Sequence, residues 1–179
     1  MVTTGRVAAS RQQVLATAAI LDEVSDTWLV VFPSDPAWVP GNELAARAAE
    51  VIARLVPTRP SVPGQPELRL TPNIEFVDAG GNFGAIGCPL CGQELELHWW
   101  HEEMDAQYRR ETGFRLLPLT TPCCAGTTTL NDLAYEWPLG FARWQATVLY
   151  PDRGWLTEAE LHEIGQALGH PVRQTVRHI

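Results

Sequence analysis

The sequence contains no lysine, so all of its 13 basic residues are arginines. They face 21 acidic residues, and the net charge is −8. Binding phosphate backbones takes clustered Arg and Lys, so this balance argues against a nucleic-acid-binding surface spread over the protein. With so much Ala, Gly and Pro, the missing lysine reads as genome base composition rather than mechanism. Long apolar runs are missing too. None approaches the roughly 20 residues of a membrane span, and the opening "MVTTGRVAASRQQ" has no apolar signal-peptide core. The expectation is a cytoplasmic protein without a membrane partner. Catalytic signatures are also lacking: there is no Gly-x-Ser-x-Gly. The Gly-rich "DAGGNFG" (78–84) has neither a phosphate-loop lysine nor a helix after it, and reads as a turn. Cysteine is scarce, with only 4 in the chain. All lie in "CPLCG" (88–92) and "TPCCAG" (121–126). In a reducing cytoplasm, paired cysteines suggest metal before disulfide.

What is present suffices for one large or two small domains: 179 residues, 45% hydrophobic and 19% charged. Ser10 to Gln13 read as a helix-starting capping box, which would put Val14, Ala18 and Leu21 on one face. "WLVVFP" (28–33) reads as a buried strand. Asn42 is placed to cap a helix whose apolar face is Leu44, Ala48, Val51, Ile52 and Leu55, ended by Pro57. Alternation predicts strands near 67–71 and 74–78. After the cysteine-bearing middle, "FARWQATVLY" (141–150) is a strand. Thr157 to Glu160 form a capping box before Leu161, Ile164 and Leu168, and Gly169 closes that helix. "PVRQTVRHI" alternates as a final strand. Two β-α-β units predict an α+β fold: a ferredoxin-like antiparallel sheet with helices on one face. The expected division is an N-terminal helix (1–26), a sandwich from 27–80 and 138–179, and a zinc-binding insertion at 81–137.

The middle is acidic. Over 83–137, Arg109, Arg110 and Arg115 stand against eight acids, a net charge near −5. Period-two alternation from Glu94 to Trp99 predicts a strand leaving the first cysteine turn. "HEEMDAQYRRE" reads as a polar helix, and "FRLLPLT" (114–120) as a strand into the second cysteine pair. In Cys88-Pro89-Leu90-Cys91-Gly92, Pro89 fixes a turn and Gly92 permits the positive φ that aims backbone N–H groups at sulfur. Zinc takes four ligands in a tetrahedron and suits thiolate. This half resembles the knuckle of zinc-ribbon proteins. The resemblance implies a zinc site, one ion per chain, and covers only these residues and the strand expected after them. The second half departs from that family, because Cys123 and Cys124 are adjacent rather than spaced. Neighbours on a strand point to opposite faces, so both reach one ion only where the backbone turns, as Pro122 and Gly126 allow. The ligands expected are Cys88, Cys91, Cys123 and Cys124, with His98 or His101 the alternative for one of the cysteines. A thioredoxin-type redox pair is disfavoured, since that motif opens a helix after a strand.

Four cysteine ligands leave no open position, so such a site is structural. An enzyme remains the alternative, through an open zinc site or the cluster His98, His101, Glu102 and Asp105. That cluster lacks the His-Glu-x-x-His order and equally reads as solvated helix surface. Seven tryptophans are present. Trp28 and Trp144 fall in strands and read as core. Trp38 and Trp137 fall in loops, where they either cover the edges of a small core or anchor a partner protein. The function expected is non-catalytic: a zinc-held acidic protein acting through protein contacts. One concrete form is an inhibitor or immunity-type protein masking a basic partner.

Overall fold

A computed structural model describes residues 26–179. The helix expected within 1–26 lies outside the described residues. Strand β1 (Thr27–Pro33) leads through a loop to helix α1 (Asn42–Leu55), then strand β2 (Glu67–Val77). A stretch of short elements follows: β3 (Ile86–Gly87), α2 (Leu97–Gln107), β4 (Tyr108–Arg109), β5 (Gly113–Phe114), β6 (Leu119–Thr120), β7 (Thr127–Thr128), a single 3-10 turn and β8 (Ala134–Tyr135). Long elements then return as β9 (Gly140–Leu149), α3 (Glu158–Leu168) and β10 (Val172–His178). The molecule is a mixed α+β protein with three described helices and a largely antiparallel sheet. The strand order is β10-β1-β9-β2-β5-β4. Among the described strand pairings only β2–β5, with Ile74 beside Gly113, is parallel, and an isolated parallel bridge joins Gly80 to His178 of β10. No described helix is long and apolar enough to cross a membrane.

The long elements follow their sequence periods. Alternation in β1 and β9 sends Leu29, Val31, Trp144, Ala146 and Val148 to one face. There they join Val176 of β10 in a core with Ala48 and Ile52 of α1 and Ile164 and Leu168 of α3. The Thr157 capping box forms in full, and Gly169 ends α3 at φ 81°. Helix α1 starts one residue earlier than its sequence suggests. Gly41 takes the cap position, its carbonyl accepting from the Ala45 N–H, and Asn42 makes no side-chain cap. The strands expected at 67–71 and 74–78 are one strand whose pairing with β9 shifts register between Leu70 and Glu75. Pro72, which has no N–H to donate, sits in that gap.

The middle of the chain departs further from its sequence pattern. No strand runs from Glu94 to Trp99. Glu94 makes one isolated bridge to Gly87, the Leu95 N–H bonds to the Ile86 carbonyl, and α2 begins at Leu97. The reason is burial at helical spacing: Trp100 and Gln107 are buried and Met104 half-buried, all on one side of α2. The stretch 114–120 is likewise not one strand. Leu116, at φ 49°, separates β5 from β6.

These short elements have a core of their own. Ile86, Cys88, Leu95, Trp100, Leu119, Leu130 and Leu133 close around Phe141 of β9. Phe141 pairs with Phe76, and the two rings lie 5.3 Å apart on the side away from neighbouring Ala142 and Val77. The face of β1 that carries Val30 and Phe32 instead packs with Val77 and Ala142 in a third, smaller core. Trp100 anchors the middle segment: its ring lies 4.9 Å from that of Phe83 and 5.9 Å from that of Phe76. Its Nε1–H donates to the Tyr135 hydroxyl, which donates to the Leu130 carbonyl.

Candidate metal centre

Two turns carry the cysteines. The first follows β3. The Cys88 N–H bonds to the Gln93 carbonyl and the Gly92 N–H to the Cys88 carbonyl, closing a tight loop. Gly92 takes φ 75°, a region that costs a side-chain-bearing residue energy. The second turn is the tip of the β6–β7 hairpin. The Thr121 N–H bonds to the Gly126 carbonyl, and the Ala125 N–H to the Thr121 carbonyl. Ala125 sits at φ 55°. This left-handed residue reverses the chain directly after Cys124, which is how two adjacent cysteines come to face one point.

The four cysteine sulfurs lie within 4.8 Å of one another. Cys88 Sγ is 3.8 Å from Cys124 Sγ, and Cys91 Sγ is 3.4 Å from Cys123 Sγ. Four thiolates at 2.3 Å from a central zinc ion would stand about 3.8 Å apart. A disulfide needs about 2.05 Å, and all four thiols are free. The spacing therefore fits a central cation and not a pair of cross-links. Among the described residues, no other group of three or more His, Cys, Asp or Glu side chains gathers closely enough to hold a metal ion.

Electrostatics separate the four thiols from one another. Burial raises the Cys88 thiol, but N–H groups of Leu90 and Cys91 and the neighbouring sulfurs outweigh it and bring its pKa down to about 6. Cys124 is lowered by the Thr121 hydroxyl, 3.2 Å away, and by the Gly126 backbone. The Gln93 backbone pulls Cys91 down, but its sulfur neighbours prevail and push it up to about 12. Crowded thiols thus ionise unevenly. A divalent ion would favour the thiolate at every one of them. Only Cys88 is buried; Cys123 is half-buried, and Cys91 and Cys124 face solvent. The cluster sits at the rim of the second core, with one sulfur rooted in it.

The histidines considered as alternative ligands are elsewhere engaged. His98 faces solvent and pairs with Glu102 one turn along α2, at 3.3 Å. The His101 ring lies 5.1 Å from that of Trp100. Neither belongs to the sulfur cluster. The loop tryptophans cover core: Trp38 packs on the helix-side core and against His170, and Trp137 donates to the Val176 carbonyl and meets Trp155. Thr121 was not visible as a site residue in the sequence, although "TTPCC" places its hydroxyl three residues before Cys124. Arg173 was missed as well. It is half-buried, its pKa lowered by that burial, and it donates to the carbonyls of Asn131 and Leu139. It ties β10 to the middle segment, yet nothing in an alternating strand separates it from a surface arginine. Comparison with protein-family models, curated proteins and solved structures finds no match to this chain.

Proposed function

We propose that the protein binds one zinc ion through Cys88, Cys91, Cys123 and Cys124, and that this ion is structural. One observation carries the reading: four free thiols from two separate turns converge within 4.8 Å of one another, close enough to share one ion. An all-sulfur set favours zinc over harder cations. Four protein ligands leave no position for water or substrate, so the centre holds the fold and performs no reaction. The module around it is read as zinc-ribbon-like, with adjacent cysteines on its second turn. The main sheet is read as ferredoxin-like, supported by the antiparallel order β10-β1-β9-β2 with α1 and α3 as its two crossovers.

The protein then acts by contact, as a cytoplasmic protein of the inhibitor type. A partner with a basic surface fits best, because the chain carries −8 and α2 turns Glu102 and Asp105 to solvent. Metal analysis of protein purified under reducing conditions tests the centre. One zinc per chain is expected. No metal, with four titratable thiols in a folded protein, overturns it.

A further inference from the structure

The edge of the main sheet carries a second feature, independent of the cysteines. Strand β2 pairs with β9 along its length, but on its outer side only Ile74 is paired, with Gly113. The register shift after Leu70 turns the strand, so the first four residues stand clear of β5. Among the described residues nothing pairs with the outer edge of Glu67–Leu70. Open edges of this kind are usually blunted, because they offer unpaired N–H and C=O groups to another strand. Here the edge is apolar on one face. Leu68 and Leu70 are 41% and 59% exposed. They pair with Ala146 and Trp144 and so lie on the helix side of the sheet. With Pro40, Ala45, Ala46 and Trp144 they line an open cleft of about 300 Å³. On the other face Glu67 and Arg69 alternate with them, and Arg69 now pairs with Glu75 at 2.6 Å.

We propose that Glu67–Leu70 is a dimerisation edge, and that its occupant is the same strand of a second copy, antiparallel, with the two-fold axis at Leu68. The charge pattern selects both occupant and register. With Leu68 opposite itself, Glu67 faces Arg69 of the second copy, and Arg69 faces its Glu67. Two ion pairs form from one sequence, and Leu70 lies against Pro66. Placing the axis at Arg69 sets two arginines against each other. A one-residue slip sets leucine against charge and turns the apolar faces apart. Opposite charges directly across a strand pair stabilise it and like charges destabilise it. A two-fold contact must be self-complementary, and this four-residue stretch is. Leu68, Leu70 and the Ala45–Ala46 surface of α1 from each copy form the buried strip, and the sheets join into one.

Sedimentation velocity of the full chain over a concentration series tests this. The wild type is expected as a reversible dimer. Leu68→Asp and Leu70→Asp should each give a monomer whose thermal melt matches that of the wild type at concentrations low enough to dissociate the dimer, because both side chains are partly exposed in the single chain. Arg69→Glu sets acid against acid and should weaken the dimer by about tenfold or more. The swap Glu67→Arg with Arg69→Glu restores both pairs and should return the dimer to near wild-type strength. A wild type that stays monomeric at about 1 mM overturns the proposal and leaves the edge to a different protein. So does a dimer that survives both leucine substitutions, or one whose strength ignores Arg69→Glu and the swap.

Discussion

The sheet with α1 and α3 is built from strands of 7 to 11 residues and helices of 11 and 14. The segment between Ile86 and Tyr135 has strands of only two residues each and one helix. A two-stranded pair of that length is not stable by itself in water. The first region satisfies its backbone by long pairings and buries aliphatic side chains from both helices. The second must hold short pieces by other means. It has an aromatic cluster around Trp100, borrowed area on Phe141, and four converging thiols. Two solutions to one problem therefore stand side by side in one chain: where regular structure is long, hydrogen bonding and burial suffice, and where it is short, side chains from distant turns must be tied together.

The largest expected effect is on the second region alone. Cys88→Ser removes the one buried sulfur and should abolish zinc binding and the order of 86–135, read as lost near-ultraviolet dichroism from Trp100. In small zinc-dependent domains the ion contributes about 10 kcal/mol or more to folding. Retained zinc with a wild-type spectrum would break the comparison. Ile52→Ala is the reciprocal experiment. It opens a cavity in the helix-side core and should cost about 2–5 kcal/mol while leaving one zinc per folded chain.

A finer contrast uses Tyr135. Burial pushes its hydroxyl up to about 12, with Trp100 and Arg173 opposing. The folded protein therefore holds that proton more tightly than the unfolded chain. Its contribution is fully present below about pH 10 and is lost as pH rises toward about 12, at roughly 1.4 kcal/mol per pH unit. Tyr135→Phe should remove this alkaline loss and cost about 1–3 kcal/mol at neutral pH, because the Trp100 N–H loses its acceptor. A stability profile between pH 9 and 12 that is the same in both proteins would contradict the assignment. The smallest effect is expected at the solvent face of α2. Reversing Glu102, Glu103 and Asp105 together should change stability by under about 0.5 kcal/mol and slow association with basic proteins, most at low salt. Unfolding of the triple variant would place those side chains in the scaffold instead.

The first region was largely legible in the sequence, because a single local rule governs each of its elements. Alternation over "FARWQATVLY" and the box from Thr157 to Glu160 needed no tertiary information. In the second region local pattern and final structure conflict. Glu94 to Trp99 alternates like a strand, yet burying Trp100 between Phe76, Phe83 and Tyr135 selects a helix, and those partners are far away in sequence. The stretch "HEEMDAQYRRE" was legible as a polar helix, but with polar Gln107 buried where an apolar residue would complete the stripe, neither its buried face nor its start at Leu97 could be read. The four thiols were visible as a cluster from spacing alone. The turn at Ala125 could be inferred only from the demand that adjacent cysteines face one point. Neither Arg173 nor the open edge at Leu68 could be read, since both depend on which strands become neighbours.

The measurement that tests the two-region account most directly is hydrogen exchange, resolved by segment, on the zinc-loaded protein and on protein stripped by a chelator under reducing conditions. The account predicts that stripping abolishes protection across 86–135 while β1, β9, β10, α1 and α3 keep theirs. Protection in 86–135 that survives complete removal of metal, or a uniform loss over the whole chain, would contradict it.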